Sequence, residues 1–523
     1  MAEAQKVVVV GGGPVGALAA LYAARRGYRT ELYELRDDPN FGDQSLRPDM
    51  AVIPLALSER GIKALAGAKV PGLLEDILNG SRPIYHRMIH TRDPGPHGDL
   101  KEIPMKYGPN GECLHTLQRE KISKLCLLAL SKEPTAKLFF NYKLARCDVD
   151  NQTVSFEHVL WKEKSRLAEQ ELADDVASRQ KGRTGQPASS SESSRFKDVK
   201  FDFLIGADGT FSSVRQSIMR RTTIDFSQSY EDALWCDLIF PPTKDGNYPL
   251  NSKCLHVWPA DRNIVMAQPD FNCSFRAGMV CATDTCRYME AHPDEFPAWF
   301  SNEFPGIVPQ LLSAEEVKRQ FVAHQKIPLK SVKINKFGYG DKVLLLGDSS
   351  HAMTPFHAMG MITGLEDVRV FFEQFRDPAA AKMQRYYGGV SKGAADGSPG
   401  PFSPPGTVAA YTEYRRPDVQ AMVDMSHNHY EELRHGVRSP AARARKIFDA
   451  VLCRYLPALD WTTVYARVQF GNERFSVVER KEKRQQEIVT GAIYTVVFVV
   501  AFAILIALKN LFMLRGDVLS LEV

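Results

Sequence analysis

No C-x-x-C pair occurs among the nine cysteines of this 523-residue chain, and their number is odd. Scattered thiols of this kind fit a reducing compartment better than a disulfide framework or a zinc site. Basic residues form no block interleaved with aromatics, and the formal net charge is only +4. The electrostatic footprint of a nucleic-acid binder is therefore missing. A first strand beginning near Lys6 leaves no room for a signal peptide or transit sequence. Internal repeats are absent as well. What remains is an ordinary globular balance, 44% apolar and 24% charged, in a chain long enough for two or three domains.

One long hydrophobic run stands out. Ile488 to Leu508 is 21 residues without a charge, flanked by Lys481, Lys483 and Arg484 before it and by Lys509 and Arg515 after it. A helix of that length crosses a hydrocarbon core of about 30 Å. The other reading is a buried core helix, but such helices seldom run so far without a polar face. The expectation is a C-terminal membrane anchor with the bulk of the chain on the cytosolic side, although the flanking charges do not fix orientation.

Along the chain, residues 6–10 read as a buried strand, 14–27 as a helix rich in small residues, and 30–34 as the next strand, a βαβ unit. Helices are expected at 117–131, 211–220 and about 362–376, and strands in Phe201–Gly209 and at 343–346. From about 222 to 335 the pattern changes to short β-like runs with aromatics and prolines, and from 407 to 480 it is mainly helical. Residues 161–198, charged and then Ser-rich, read as a disordered insertion, and 388–407 as a Gly/Pro-rich loop.

The chemistry begins at Gly11-x-Gly13-x-x-Gly16, which lies between the first strand and its helix. Gly11 permits the tight turn, Gly13 lets the backbone approach a pyrophosphate, and Gly16 lets helix and strand pack closely. The helix N-terminus then faces phosphate charge, and Glu34, closing the second strand, is placed to accept hydrogen bonds from a ribose. The pattern implies an adenine dinucleotide. A second G-x-G-x-x-G, as a stable site for a second dinucleotide would need, does not occur.

Two further motifs favour FAD over NAD. Gly206-Ala-Asp208-Gly209 with Arg215, and Gly347-Asp348 with Pro355, resemble the "DG" and "GD" motifs of the class A FAD-dependent aromatic hydroxylases. Within that group the chain resembles the kynurenine 3-monooxygenase family over nearly its whole length. The matching stretches are Tyr33-Glu-Leu-Arg36, Leu55-Ala-Leu-Ser58-x-Arg60-Gly61, Arg87-Met-Ile-His90, Tyr107-Gly108, His256-Val-Trp-Pro259, Leu346-Gly-Asp348 and Gly364-Leu-Glu-Asp367. The resemblance implies an α/β fold: a Rossmann-like FAD-binding domain, a mostly antiparallel β-sheet substrate domain, a C-terminal helical region and a C-terminal transmembrane helix. The expected spans are 1–80, 110–221 and 336–378 for FAD, 81–109 and 222–335 for substrate, 379–406 for the Gly/Pro-rich loop, 407–480 for the helical region and 488–508 for the anchor.

By position, the resemblance assigns the substrate to Arg87, Tyr107, His429 and Tyr465. An Arg fork suits a planar carboxylate and a Tyr hydroxyl adds a directional donor; the plainer reading of Arg87 is a surface ion pair. Gly11, Gly13, Val15, Gly16, Tyr33, Glu34, Arg36, Ala56, Arg119, Leu144, Asp208, Asp348, Met361 and Ile362 fall to the cofactor. The resemblance further implies hydroxylation of L-kynurenine to 3-hydroxykynurenine with NADPH and O₂, in tryptophan degradation and NAD biosynthesis via quinolinate, at the mitochondrial outer membrane. No protein nucleophile or metal is required, because the flavin carries the oxygen chemistry. His351, beside the Gly-Asp motif, is expected to pack or support rather than act as a base.

The sequence departs from that family in two places. His357-Ala-Met-Gly-Met-Ile-Thr363 replaces the Phe/Tyr-Gly-Gln-Gly-Met-Asn-Ala pattern, and Ala51-Val-Ile-Pro54 lacks an expected Arg. These departures leave open a flavin monooxygenase for another aromatic substrate, or a membrane-tethered flavin-fold protein that only binds partners.

Overall fold

The computed structural model describes residues 4–39, 55–92, 98–107, 111–159, 196–376, 402, 405–432, 448–449, 452 and 460–519. The departure at Ala51–Pro54, most of the expected insertion and most of the Gly/Pro-rich loop lie outside those residues. Phe196–Lys200 is already a strand, so the fold resumes before the expected end of the insertion at residue 198.

Lys6–Val10 sits inside a six-stranded sheet. Across that sheet run Gly338–Tyr339, Val343–Leu345, Phe203–Gly206, Lys6–Val10, Arg29–Tyr33 and Ala136–Phe139, parallel except for the first pair. Its central strands read as continuous Val/Leu/Ile because helices cover both faces. Val7, Val8 and Val9 are fully buried. The helix Pro14–Ala24 is buried along nearly its whole surface, packed against the helices Arg119–Ser131 and Gly360–Val370. Ala17, Ala19, Ala20, Ala23 and Ala24 let the three approach.

The substrate-side unit is a seven-stranded sheet, ordered Ile327–Ile334, Phe226–Phe240, Phe275–Ala282, Ile264–Pro269, Cys254–Pro259, His86–Arg92 and Leu100–Lys106. It is antiparallel except where Cys254–Pro259 runs parallel to His86–Arg92. Helices Thr283–Ala291, Phe296–Glu303 and Ala314–Ala323 also belong here, where the sequence suggested only short β-like runs. Their aromatic side chains bury against the sheet, with Phe296 stacked on Phe321 at 3.8 Å between centroids. A small third sheet joins Leu55–Leu57, Leu114–Leu117 and Arg82–Ile84 and so stitches the two units together.

The C-terminal part differs from its expected division. Phe475–Leu519 is one helix of 45 residues, not a helical region ending at 480 and a separate anchor from 488. Phe475 and Val478 are fully buried against the body and Gln485 nearly so, whereas the apolar side chains from Ile488 to Leu508 stand exposed. The stretch Phe475–Leu508 is long and apolar enough to cross a membrane, with a mean hydropathy of 2.7 over its most apolar window.

Candidate functional site

The first glycine motif builds its cradle from backbone. Gly11 has φ +104°, and a Cβ there would lie 2.3 Å from the Ala207 carbonyl oxygen. A Cβ on Gly16 would lie 2.0 Å from the Gly11 carbonyl oxygen, while at Gly13 it would meet nothing within 4 Å. That is a closed turn with an open face. Gly13 caps the helix with no side chain, and no acidic residue occupies its first turn. Its positive end and free N–H groups thus stay available to an anion. Glu34 accepts from the Gly12 N–H through Oε2, and from the Arg36 N–H through Oε1 at 2.9 Å. Arg36 Nε stands 3.4 Å from the same carboxylate.

The other two motifs are tied to each other. Arg215 donates to the Ser349 carbonyl at 2.8 Å and to the Thr210 carbonyl at 2.6 Å. Ser349 Oγ in turn donates to the Gly206 carbonyl at 2.7 Å. Asp208 accepts from the Val214 N–H at 3.1 Å, and its Oδ1 is buried without a hydrogen-bond partner. Burial raises that carboxyl against the opposing hydrogen bonds of Ser212 and Val214. Gly347 is in the left-handed region at φ +62°, and Gly364 packs so closely that its Cβ would lie 2.6 Å from Val15 and 3.1 Å from the Gly347 Cα. Val15, Gly347 and Gly364 are thereby locked together. The backbone cradle at 11–16, the carboxylate of Glu34 and the unpartnered oxygen of Asp208 fit the pyrophosphate and sugar hydroxyls of FAD.

Behind this clamp lies an ion network to which the sequence reading assigned no role. Arg415 Nε is 2.8 Å from Asp367 Oδ1, and its Nη2 is 2.8 Å from Glu366 Oε2. Arg60 closes on the other Glu366 oxygen at 3.0 Å, and Arg474 reaches Asp418 at 2.9 Å. Asp367 Oδ2 accepts from the Gly347 N–H at 3.2 Å and meets His351 Nε2 at 2.5 Å. Burial raises the Asp367 carboxyl, but His351 and Arg415 outweigh it and hold it below its ordinary value. His351 is thus a supporting residue, as expected. Arg60, Glu366 and Asp367 lie in motifs quoted for the resemblance; Arg415 and Asp418 give no local signal.

Where the sheet of the substrate unit meets the segment 355–358 a cavity opens, with about 650 Å³ of empty space including its mouth. Arg87, Tyr107 and Tyr465 all line it, so three of the four residues assigned to substrate converge. The Arg87 guanidinium lies 4.6 Å over the Tyr465 ring, and the Tyr107 and Tyr465 rings are 5.9 Å apart and nearly parallel. Arg87 Nε and the Tyr107 hydroxyl are buried without a hydrogen-bond partner. Among the described residues no carboxylate pairs with Arg87. Burial works against its charge, but Tyr465 and Tyr107 hold it above its ordinary value. Burial also raises the Tyr107 phenol well above its usual range, so it remains a proton donor.

His429 joins this group through a residue the site assignment omitted. Its ring stacks on His357 at 4.3 Å, and His357 lines the cavity. Burial, then His429 and Arg87, push His357 well below its ordinary value, so it is a neutral imidazole. The signal for it was the altered loop after Pro355–Phe356.

The remaining assigned residues are placed unevenly. Ala56 lines the cavity. The Asp348 side chain faces the first turn of the helix Gly360–Val370, which carries Met361. The Ile362 side chain turns inward, where a Cβ on Gly61 would lie 2.9 Å from it. The Tyr33 ring is buried between Phe139 and Phe156, and what Tyr33 offers the cradle is its carbonyl, which accepts from the Gly11 N–H at 2.8 Å. Arg119 opens the helix Arg119–Ser131, and Leu144 lies on the strand Tyr142–Asp148 against the main core.

A Rossmann-like cradle joined to a predominantly antiparallel sheet, with a cavity between them, defines an FAD-dependent monooxygenase. The comparisons agree. The FAD binding domain family matches residues 145–376, and glucose inhibited division protein A matches residues 6–69. The kynurenine 3-monooxygenase of Aspergillus oryzae is 35% identical over 492 residues, 92% of this chain and 88% of the relative. That of Aspergillus terreus is 34% identical over 97% of this chain and 94% of the relative. Among solved structures, 2-methyl-3-hydroxypyridine-5-carboxylic acid oxygenase superposes with a TM-score of 0.56 at 16% identity, covering 84% of this chain and 95% of the other. The chain belongs to the kynurenine 3-monooxygenase family.

Proposed function

We propose that the chain converts L-kynurenine, NADPH, O₂ and a proton into 3-hydroxykynurenine, NADP⁺ and water. The observation that carries this reading is the convergence of Arg87 and Tyr107 on one cavity with no protein carboxylate for the guanidinium among the described residues. A buried cation left in that state is matched by a ligand carboxylate. Arg87 binds it and Tyr107 donates to it, with Tyr465 supporting the guanidinium through its ring. Ile84, Leu255, Met266 and Phe356 then surround the aromatic end and keep water from it.

Bound FAD supplies the electron transfer and the oxygen insertion. The residues assigned to hold it are Gly11, Gly13, Val15, Gly16, Glu34, Arg36, Asp208, Asp348 and the Met361–Ile362 backbone. The substrate's own aniline amine enriches the neighbouring ring carbon, so no strong protein base is needed. The membrane-length helix places the protein at the mitochondrial outer membrane, with the catalytic part facing the cytosol. The test uses the full chain in detergent, following NADPH oxidation and product with and without L-kynurenine. Substrate-stimulated oxidation with 3-hydroxykynurenine formed is expected; oxidation ending only in hydrogen peroxide sinks the reading.

A second reading is a related monooxygenase for another aromatic substrate. It is favoured by the His357–His429 stack, which stands where the family pattern has Phe/Tyr and Asn. Flavin reduction stimulated by an anthranilate- or indole-like acid but not by kynurenine would select it.

A further inference from the structure

The most exposed large apolar side chain of the catalytic body stands beside a cofactor motif. Phe211, two residues after Gly209, is 76% exposed. Lys330 Nζ lies 3.1 Å from the centre of its ring. Around this pair the surface is aromatic and cationic. Tyr230 is the register partner of Lys330 and is 56% exposed, and Phe226, on the same face of its strand, carries the Arg215 guanidinium 5.2 Å over its ring. Asp348 is among the charges acting on Lys330, so the patch borders the flavin clamp.

We propose that this rim is the docking platform of the reduced nicotinamide dinucleotide, with its adenine against the free face of Phe211 and its phosphate charge beside Lys330. Three observations carry the assignment. Solvent-exposed aromatic rings flanked by cations are the surface on which a purine stacks and a polyphosphate is neutralised. The platform adjoins the flavin motifs at Gly209 and Asp348, and hydride transfer requires the two dinucleotides to meet there. Finally, the only glycine cradle of this type in the sequence is the one at 11–16, and the flavin takes it. The second dinucleotide therefore needs an open surface that it can leave between turnovers.

The inference rests on the NADPH-consuming reading above but not on the identity of the aromatic substrate. The experiment compares the full-length holoprotein in detergent with its Phe211→Ala, Phe211→Trp and Lys330→Gln variants. Saturation-transfer NMR and calorimetry measure the binding of NADP⁺ and of adenosine 2′,5′-bisphosphate, and steady-state kinetics give the KM for NADPH. Loss of one stacked base or one phosphate contact is expected to weaken binding about tenfold in Phe211→Ala and Lys330→Gln, while Phe211→Trp stays near wild type. Flavin absorbance per chain and the KM for kynurenine should not change. Unaltered NADP⁺ binding in both weakened variants overturns the proposal. So does a parallel loss of flavin, which would assign these residues to the flavin site. If the nucleotide effects appear but kynurenine never stimulates oxidation, the platform stands and the substrate reading falls.

Discussion

The flavin cradle and the substrate cavity are built by opposite means. At residues 11–16 the working surface is backbone: one glycine at φ +104°, another with no space for a Cβ, and a helix end left without a cap. Around the cavity the working groups are side chains of Arg87, Tyr107, Tyr465, His357 and His429, brought from three separate stretches of chain. Backbone recognition depends on local conformation, so it leaves a short motif with fixed spacing. Side-chain recognition depends on long-range packing and leaves single letters far apart. The cradle thus resists drift in its neighbours, while the cavity can change its substrate by exchanging one residue.

The strongest blow to this comparison comes from the cradle. Gly16→Ala sets a methyl group 2.0 Å from a carbonyl oxygen, and overpacking of that kind costs about 1–3 kcal/mol. Flavin content should collapse, as read from absorbance per chain, with thermal stability lowered and no rescue by excess substrate. Retention of full flavin would mean that the turn is not what holds it. Arg87→Met should do the reverse. Losing a charge-assisted contact costs about 1.5–3 kcal/mol, so kcat/KM falls about 10- to 150-fold, chiefly through KM, with flavin intact. Arg87→Lys should recover only part of it, because a point charge does not replace a fork. An unchanged KM in Arg87→Met would remove the carboxylate role.

The smallest effect is on pH dependence. His90 is held at about 3, by burial first and then by His256. Because the folded value lies below the unfolded one near 6.5, the unfolded state binds more protons under that pH. Stability from this group is present above about pH 6.5 and declines as pH falls toward 3, by about 2 kcal/mol at pH 5. Denaturant midpoints at pH 7 and 5 measure it. His90→Phe should flatten the slope; if the slope persists unaltered, the buried imidazole is not its source.

The same contrast explains what was legible beforehand. The strand at 6–10, the helix that follows it and the strand ends at 206 and 345 were readable because apolar runs end in glycine at fixed positions. Arg87 and Tyr107 were reachable only through a family resemblance, since an isolated Arg reads equally well as a surface ion pair. The network of Arg415 with Glu366 and Asp367 was silent, because its partners lie 48 and 49 residues apart and meet only through helix packing. The three helices of the substrate unit were missed for a related reason. Their short amphipathic turns, rich in Phe and Trp, resemble strand composition when read locally.

The unbroken helix from Phe475 gives the catalytic body almost no leash. Gln485 is still seated on the body and the uncharged run starts at Ile488, a step of three residues, or about 4.5 Å along a helix. With that run in a bilayer, as proposed, the body has no slack with which to tumble above the lipid. The helix root, Phe475, lies under Arg60, five residues beyond the segment Val464–Phe470 that brings Tyr465 to the cavity. The bilayer would then act as a fixed floor, and the direction from which a substrate approaches would be set by architecture rather than by chance rotation.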